Sequence, residues 1–191
     1  DEADQVYSTG QSEDVNQLRK EIHGVQTICL SATKNDTIQT YFDTPFEEVL
    51  QGSVAVNERI CSYYLETEDK KASLLSLLQS LPITSAIVFV NHRSTAIELS
   101  DLLLRNNILS SAFSGYFDER KRIAIMSDFR KGDIRVLVAT DAAARGLDIH
   151  ELSHVIHYDI SIDTETFIHR SGRTAHQGDE GISISLLTPE D

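Results

Sequence analysis

Cysteine is scarce in this chain. Cys29 and Cys61 are the only two, they lie far apart, and no second pair or histidine cluster stands at metal-ligand spacing. That argues against a disulfide framework and a zinc site, and it suits a reduced intracellular compartment. No uninterrupted apolar run approaches the length of a membrane span, and the first residues carry no signal-peptide pattern. Positive charge is short as well: 17 Lys and Arg stand against 30 Asp and Glu, a formal net charge of −13. A general phosphate binder shows a basic face. Any nucleic acid must therefore be held in a local groove by backbone amides and a few arginines. A phosphate-cradling Gly-x-x-x-x-Gly-Lys-Ser/Thr loop is missing, as are internal repeats and low-complexity tracts.

What remains is a chain of 191 residues, 40% hydrophobic, enough for one ordinary domain or parts of two. Short apolar runs over residues 27–31, 86–91, 135–140, 153–159 and 181–187 predict buried strands. Between them lie helical stripes. Leu74, Leu75, Leu78 and Leu81 form one. Ala96, Leu99, Leu102 and Leu103 form a second, opened by Thr95 with Glu98 three residues on, a capping-box pattern. Ile123, Met126 and Phe129 form a third. Residues 11–24 read as a polar helix and turn. Strand and helix alternation with continuous apolar strands predicts an α/β fold, a parallel sheet with helices on both faces. The apolar pattern lapses around Gly52-Ser53, so residues 51–58 read as a linker. Residues 59–191 carry a nearly complete strand–helix series, expected to lack a closing helix after Pro189, whereas residues 1–50 look like the end of another unit.

Four segments carry candidate chemistry. Asp1-Glu2-Ala3-Asp4 offers carboxylates of the kind that hold Mg²⁺ and orient water in phosphoryl transfer; the alternative is an acidic, solvated terminus. Ser31-Ala32-Thr33 has small hydroxyls of the turn or N-cap kind. Thr140-Asp141 presents a hydroxyl and free amides at a helical turn, a phosphate seat, followed by Ala144-Arg145-Gly146 and Asp148; an N-cap at Asp141 and a buried turn at Gly146 serve equally as structure. His169-Arg170-Ser171-Gly172-Arg173-Thr174-Ala175-His176 sets arginines where a planar fork could meet phosphate oxygens. Residues 114–122 offer Gly115 and Arg122 to phosphates, or simply a solvated charged helix face. Phe89, in the run before His92-Arg93, reads as core.

In that order the segments resemble motifs II, III, V and VI of the DEAD-box RNA helicases, with residues 86–93 and 114–122 resembling the motifs between. The resemblance covers essentially the whole chain. It implies two RecA-like domains: residues 1–50 as the C-terminal part of the N-terminal, ATP-binding one, 51–58 as linker, and 59–191 as the C-terminal one. It further implies ATP and Mg²⁺ as cofactors and RNA as partner, gripped by its backbone, with protein cofactors as further partners. Asp1 then holds metal and nucleotide, and Glu2 activates water. Asp148 meets the ribose, Arg173 acts as a finger on the γ-phosphate, and His169 helps link the nucleotide to the two domain faces. Gly115, Arg122 and Thr140 face RNA. Asp4, Ser31, Thr33, Arg145 and Arg170 couple the domains.

The implied activity is RNA-stimulated ATP hydrolysis that unwinds or remodels short duplexes, although these residues alone, without a lysine-bearing phosphate loop, are expected to be inactive. Residues 158–160 and 167–175 look most like the nucleolar, ribosome-assembly members, which implies a nuclear location, the cytoplasm being the alternative. The chain departs from the family pattern in three places. Ser114 stands where histidine is usual, Glu119 where glutamine is usual, and His176 where the family has a second arginine finger. A histidine there is shorter, forkless and mostly neutral at pH 7, and it reads as a solvated loop residue. These departures keep open an alternative: an ATPase-deficient relative serving as an RNA- or protein-binding module.

Overall fold

The computed structural model describes residues 12–21, 28–30, 58–144, 149, 152–175 and 180–191. The chain divides into two compact units, Asp1–Ala55 and Val56–Asp191, and the division falls within the 51–58 segment. In the first unit the described structure is helix α1, Ser12–Glu21, with Glu13 and Asp14 in its first turn, where acidic side chains suit the helix dipole. Residues 28–30 were expected inside a buried strand. They pair with no strand among the described residues, and Ile28 and Leu30 are 72% and 59% exposed. A strand is buried only by neighbours on its edges and faces, and among the described residues of this unit none flanks them.

The second unit alternates strand and helix: β1 Ile60–Glu66, α2 Lys70–Ser80, β2 Ala86–Phe89, α3 Arg93–Arg105, β3 Ser110–Phe113, α4 Glu119–Lys131, β4 Val136–Ala139, α5 Asp141–Ala144, β5 His154–His157, α6 Thr164–Ser171 and β6 Gly181–Leu187. The strands form one sheet in the order β1-β6-β5-β2-β4-β3, and every neighbouring pair is parallel. This is the RecA-like α/β fold that the sequence implied. Alternate side chains of the central strands feed two cores. Val88, Val136, Val138, Ile156 and Leu186 meet Leu74 and Leu78 of α2 and Leu99 and Leu103 of α3 on one face. Ile87, Phe89, Leu137, Ala139 and Val155 meet Ile125, Met126 and Phe129 of α4 on the other. Burial on both faces is why these strands are continuously apolar.

The helix boundaries correct several expectations. Helix α3 starts at Arg93 with His92 at the cap and no side-chain cap bond, so Thr95 lies inside the helix and the capping box does not form. Glu98 instead pairs with Lys71 of α2. Leu81 is the C-cap of α2 and is 38% exposed. In α4 the buried stripe is Ile125, Met126 and Phe129, while Ile123 is 62% exposed. Steps of three residues lag the helical period, so Ile123 drifts off the face that Met126 and Phe129 define. Helix α4 ends at Gly132, whose φ of +82° closes the αL cap that glycine adopts without strain. Strands β1 and β3 carried no readable apolar run.

Gly181 opens β6 under unusual pressure. A Cβ there would lie 2.5 Å from both Cγ2 and Oγ1 of Thr174 and 2.6 Å from the backbone nitrogen of Ala175. The nitrogen cannot rotate away as a side chain can. Gly181→Ala is therefore expected to cost about 2 kcal/mol of stability, read by chemical denaturation. Wild-type stability in that variant would show that residues 174–175 yield to the methyl group.

Candidate functional site

Parallel strands aim all their carboxyl ends at one edge, where ligands of open α/β sheets bind. The register levels the exits: Phe89 pairs with Ala139 and His157, and Ala139 with Phe113. Val90, Thr140, Tyr158 and Ser114 thus leave the sheet side by side. Three of the helices at this edge begin on an aspartate. Asp69 accepts from the amides of Lys71 and Ala72, each at 3.0 Å, Asp118 from Lys121 at 2.8 Å and Asp163 from Thr166 at 2.7 Å. Each cap neutralises amides that would otherwise seat an anion. Helices α3 and α5 begin differently: His92 makes no side-chain cap bond, and the carbonyl of Thr140 accepts from Ala143 and Ala144, both at 3.0 Å.

Asp141 is not the N-cap the sequence suggested. It is the first residue of α5, and its carboxylate is taken by Arg170. The guanidinium of Arg170 donates through Nε to Oδ1 at 2.7 Å and through Nη2 to Oδ2 at 2.8 Å, the bidentate fork that arginine favours. Nη1 donates to the carbonyl of Asp159 at 2.7 Å, and Nη2 also to Oδ1 of Asn91 at 3.1 Å. The group lies 5.1 Å from the ring centroid of Phe89 and is 2% exposed. Arg170 was expected to couple the domains. Among the described residues its bonds join α6 to the exits of β2, β4 and β5.

Its neighbours alternate in direction. Ser171 is fully buried, 3.3 Å from Nε2 of His157 and 3.1 Å from the hydroxyl of Ser183, which itself lies 3.0 Å from that nitrogen. The His157 ring stacks on Phe167 at 4.6 Å. Burial, reinforced by the Arg170 charge and opposed by Asp141, lowers the His157 pKa to about 3. Thr174 is buried and donates from its hydroxyl to the carbonyl of Leu152, and Ala175, at φ +61°, packs over Gly181. Between these anchors, His169 sits half-buried with Nε2 4.0 Å from Glu165, and Arg173 is half-buried on the loop.

On the β3–β4 side, Thr140 is half-buried and its hydroxyl makes no hydrogen bond among the described residues. Gly115 is exposed, with nothing within 4 Å of a Cβ position. Arg122 lies over Phe113, 5.4 Å from the centroid, with its Nε buried and unpaired among the described residues. Ser114, in the family's histidine position, builds the turn: its hydroxyl accepts from the amide of Tyr116 at 3.3 Å and its carbonyl from that of Phe117 at 3.1 Å. Among the described residues no three His, Cys, Asp or Glu form a metal-holding group. Asp1, Glu2, Asp4, Ser31, Thr33, Arg145, Asp148 and His176 lie outside the described residues. Sequence reasoning missed Asn91, Asp159, His157 and Tyr116. The signal for the first two was present, since each is a polar residue closing a buried run.

A RecA-like sheet whose arginine-bearing segment runs from the strand exits at Arg170 to the strand starts at Thr174 defines a class, and the comparisons narrow it. The model of the helicase conserved C-terminal domain matches residues 69–178. The RNA helicase DeaD of Mycobacterium tuberculosis is 35% identical over 196 residues, covering 100% of this chain and 35% of DeaD. The Escherichia coli DEAD-box protein SrmB, solved bound to the regulator RraA, is 38% identical with a TM-score of 0.65, over 68% of this chain and 78% of that one. Dbp5 of Saccharomyces cerevisiae, solved with RNA and ADP BeF3, is 29% identical with a TM-score of 0.87, over 98% of this chain and 52% of that one. The chain belongs to the DEAD-box RNA helicase family. It spans about a third to a half of the length of the curated relatives it matches.

Two outcomes follow from the anchors. Arg170→Lys keeps the charge but not the fork, and it is expected to lose most of the roughly 3 kcal/mol that breaking a buried pair costs. Wild-type stability in that variant would mean charge alone suffices. His157 stays neutral when folded and takes a proton near pH 6.5 when unfolded, so below that pH the unfolded state binds more protons and stability falls with pH. From pH 7 to 5 the His157 share of the loss is about 2 kcal/mol. Denaturation at both pH values should show that His157→Gln removes this share.

Proposed function

We propose that this chain is part of an ATP-dependent RNA helicase in which RNA stimulates ATP hydrolysis and the enzyme remodels short duplexes. The observation that supports it best is the 169–175 loop. Arg170, Ser171 and Thr174 turn inward and are bonded or buried, which fixes the backbone that carries His169 and Arg173. Pre-set donors of this kind lower a barrier because they need no rearrangement as charge develops.

In this reading Arg173 reaches the γ-phosphate and His169 helps link the nucleotide to the domain faces. Asp148 holds the ribose, Asp1 holds Mg²⁺ and Glu2 orients the attacking water. Bound ATP and Mg²⁺ supply the phosphoryl group and its charge neutralisation. Thr140, Gly115 and Arg122 grip the RNA backbone without reading bases, and Arg145, Asp4, Ser31 and Thr33 couple the 1–50 and 59–191 domains across the 51–58 linker. Protein cofactors are part of the proposal, as the SrmB relative was solved with a regulator. A role in ribosome assembly, with a nucleolar location, rests on the likeness of residues 158–160 and 167–175 alone. His176 and Glu119 favour a second reading, an ATPase-deficient binding module.

The test uses the protein in its full length. RNA-stimulated turnover is expected, with Arg173→Ala reducing it by about a thousandfold. His176→Arg is expected to speed it on the order of tenfold, roughly 1.4 kcal/mol of barrier. Thr140→Val should weaken RNA more than nucleotide, and Asp148→Ala the reverse. If neither arginine-position change alters the rate, the binding-module reading replaces the helicase.

A further inference from the structure

The turn after β3 carries an aromatic side chain that the proposed backbone grip does not use. Tyr116 is 83% exposed, yet its ring does not stand alone. The guanidinium of Arg93 lies 4.8 Å from its centroid, and Ser114 holds its amide. Arg93 opens α3 at the exit of β2, whereas Tyr116 follows β3. Strand β4, with Thr140 at its end, lies between them in the sheet. The contact therefore joins the two sides of the position where Thr140 leaves the sheet.

The pattern repeats nearby. Lys121 lies 3.8 Å from the centroid of Phe117, and Arg122 lies over Phe113. Cations and aromatics interleave over residues 113–122 in a chain whose net charge is −13. Two carboxylates share the turn. Asp118 is occupied in capping α4, while Glu119 is exposed. Aromatic faces beside cations are how single-stranded nucleic acids are held: the cations follow the phosphates and the rings receive bases. Arg93 covers one face of Tyr116 and steadies it, so little ordering is needed when the other face is filled.

We propose that Tyr116 is a stacking platform for one base of the bound RNA, so that this member of the family adds a base contact to its backbone grip. The proposal rests on the RNA-binding reading above. The stack selects single strands over duplex, since a base inside a duplex has both faces covered by its stacked neighbours, and it is tolerant of base identity.

The full-length protein is titrated with a labelled 12-nucleotide uridine strand and with the same strand carrying central abasic sites. Wild type is expected to favour the intact strand about tenfold. Tyr116→Phe keeps that preference and Tyr116→Ala loses it, with the salt dependence of binding unchanged because phosphate contacts remain. Arg122→Ala instead weakens both strands and lowers the salt slope by about one. Tyr116→Trp places a fluorophore at the turn, and its emission, read as the difference from wild type, is expected to be quenched by the intact strand only. If wild type binds no RNA, the RNA-binding reading fails. If wild type binds RNA and Tyr116→Ala retains the preference, or loses affinity for both strands alike, the platform is overturned while that reading stands.

Discussion

The guanidinium of Arg170 is shared by most of the strand-exit edge. Bury an arginine and its charge must be met, because desolvation costs far more than one hydrogen bond returns. Here it is met by a bidentate carboxylate, a backbone carbonyl and an amide oxygen, supplied by Asp141, Asp159 and Asn91. These three residues close β4, β5 and β2. One side chain from α6 therefore sets how three loops leave the sheet. Asp159 also returns the favour, accepting from the amide of Asn91 at 2.8 Å.

The alternation along residues 169–175 follows from this anchor. Helix α6 turns Arg170 inward, and Ser171 follows into the His157 and Ser183 cluster. Thr174 then bridges to Leu152 beside β5. His169 and Arg173, both half-buried, lie between and beside these anchored positions. Arg170, Ser171 and Thr174 contribute stability, while His169 and Arg173 are the residues to which the proposed function assigns chemistry, so a seven-residue motif contains two kinds of constraint. His157 belongs to the first kind: a buried imidazole, held neutral, is a packing residue with two serine partners and carries no charge that could compete with Arg170.

Sequence pattern exposed the central strands and the motifs for the same physical reason. Strands covered on both faces must be apolar throughout, and loops that grip charge must be polar at fixed offsets. The pattern was silent at the sheet edges. Strand β1 buries only Ile60 and exposes Tyr63 and Tyr64 on opposite faces, so no alternation marks it. Strand β3 is Ser-Ser-Ala-Phe, and the buried hydroxyl of Ser110 is satisfied by the carbonyl of Ser100 at 2.9 Å, a tertiary bond that no local window reveals. The α4 stripe was misread because a cation occupies one of its positions. Arg122 lies one turn before Met126, and its guanidinium lies over the ring of Phe113. Arg170 was legible as a residue and illegible as a role, since its partners come from three distant segments.

The same geometry reconciles an acidic chain with an anionic ligand. Charge acts at long range through its sum, but screening limits that reach to about 8 Å at physiological salt. Inside that distance local arrangement decides. Asp69, Asp118 and Asp163 lie at the strand-exit edge, yet each spends its carboxylate on helix amides, and Asp141 spends its own on Arg170. Acidic residues there are largely internal counter-charges. Arg93, Lys121 and Arg122 rest on aromatic rings instead, and a ring only partly satisfies a cation. The edge therefore holds positive charge with unused attraction, in a chain whose net charge is −13. On the function proposed above, RNA meets the chain at this local arrangement, within the reach where the net charge counts least.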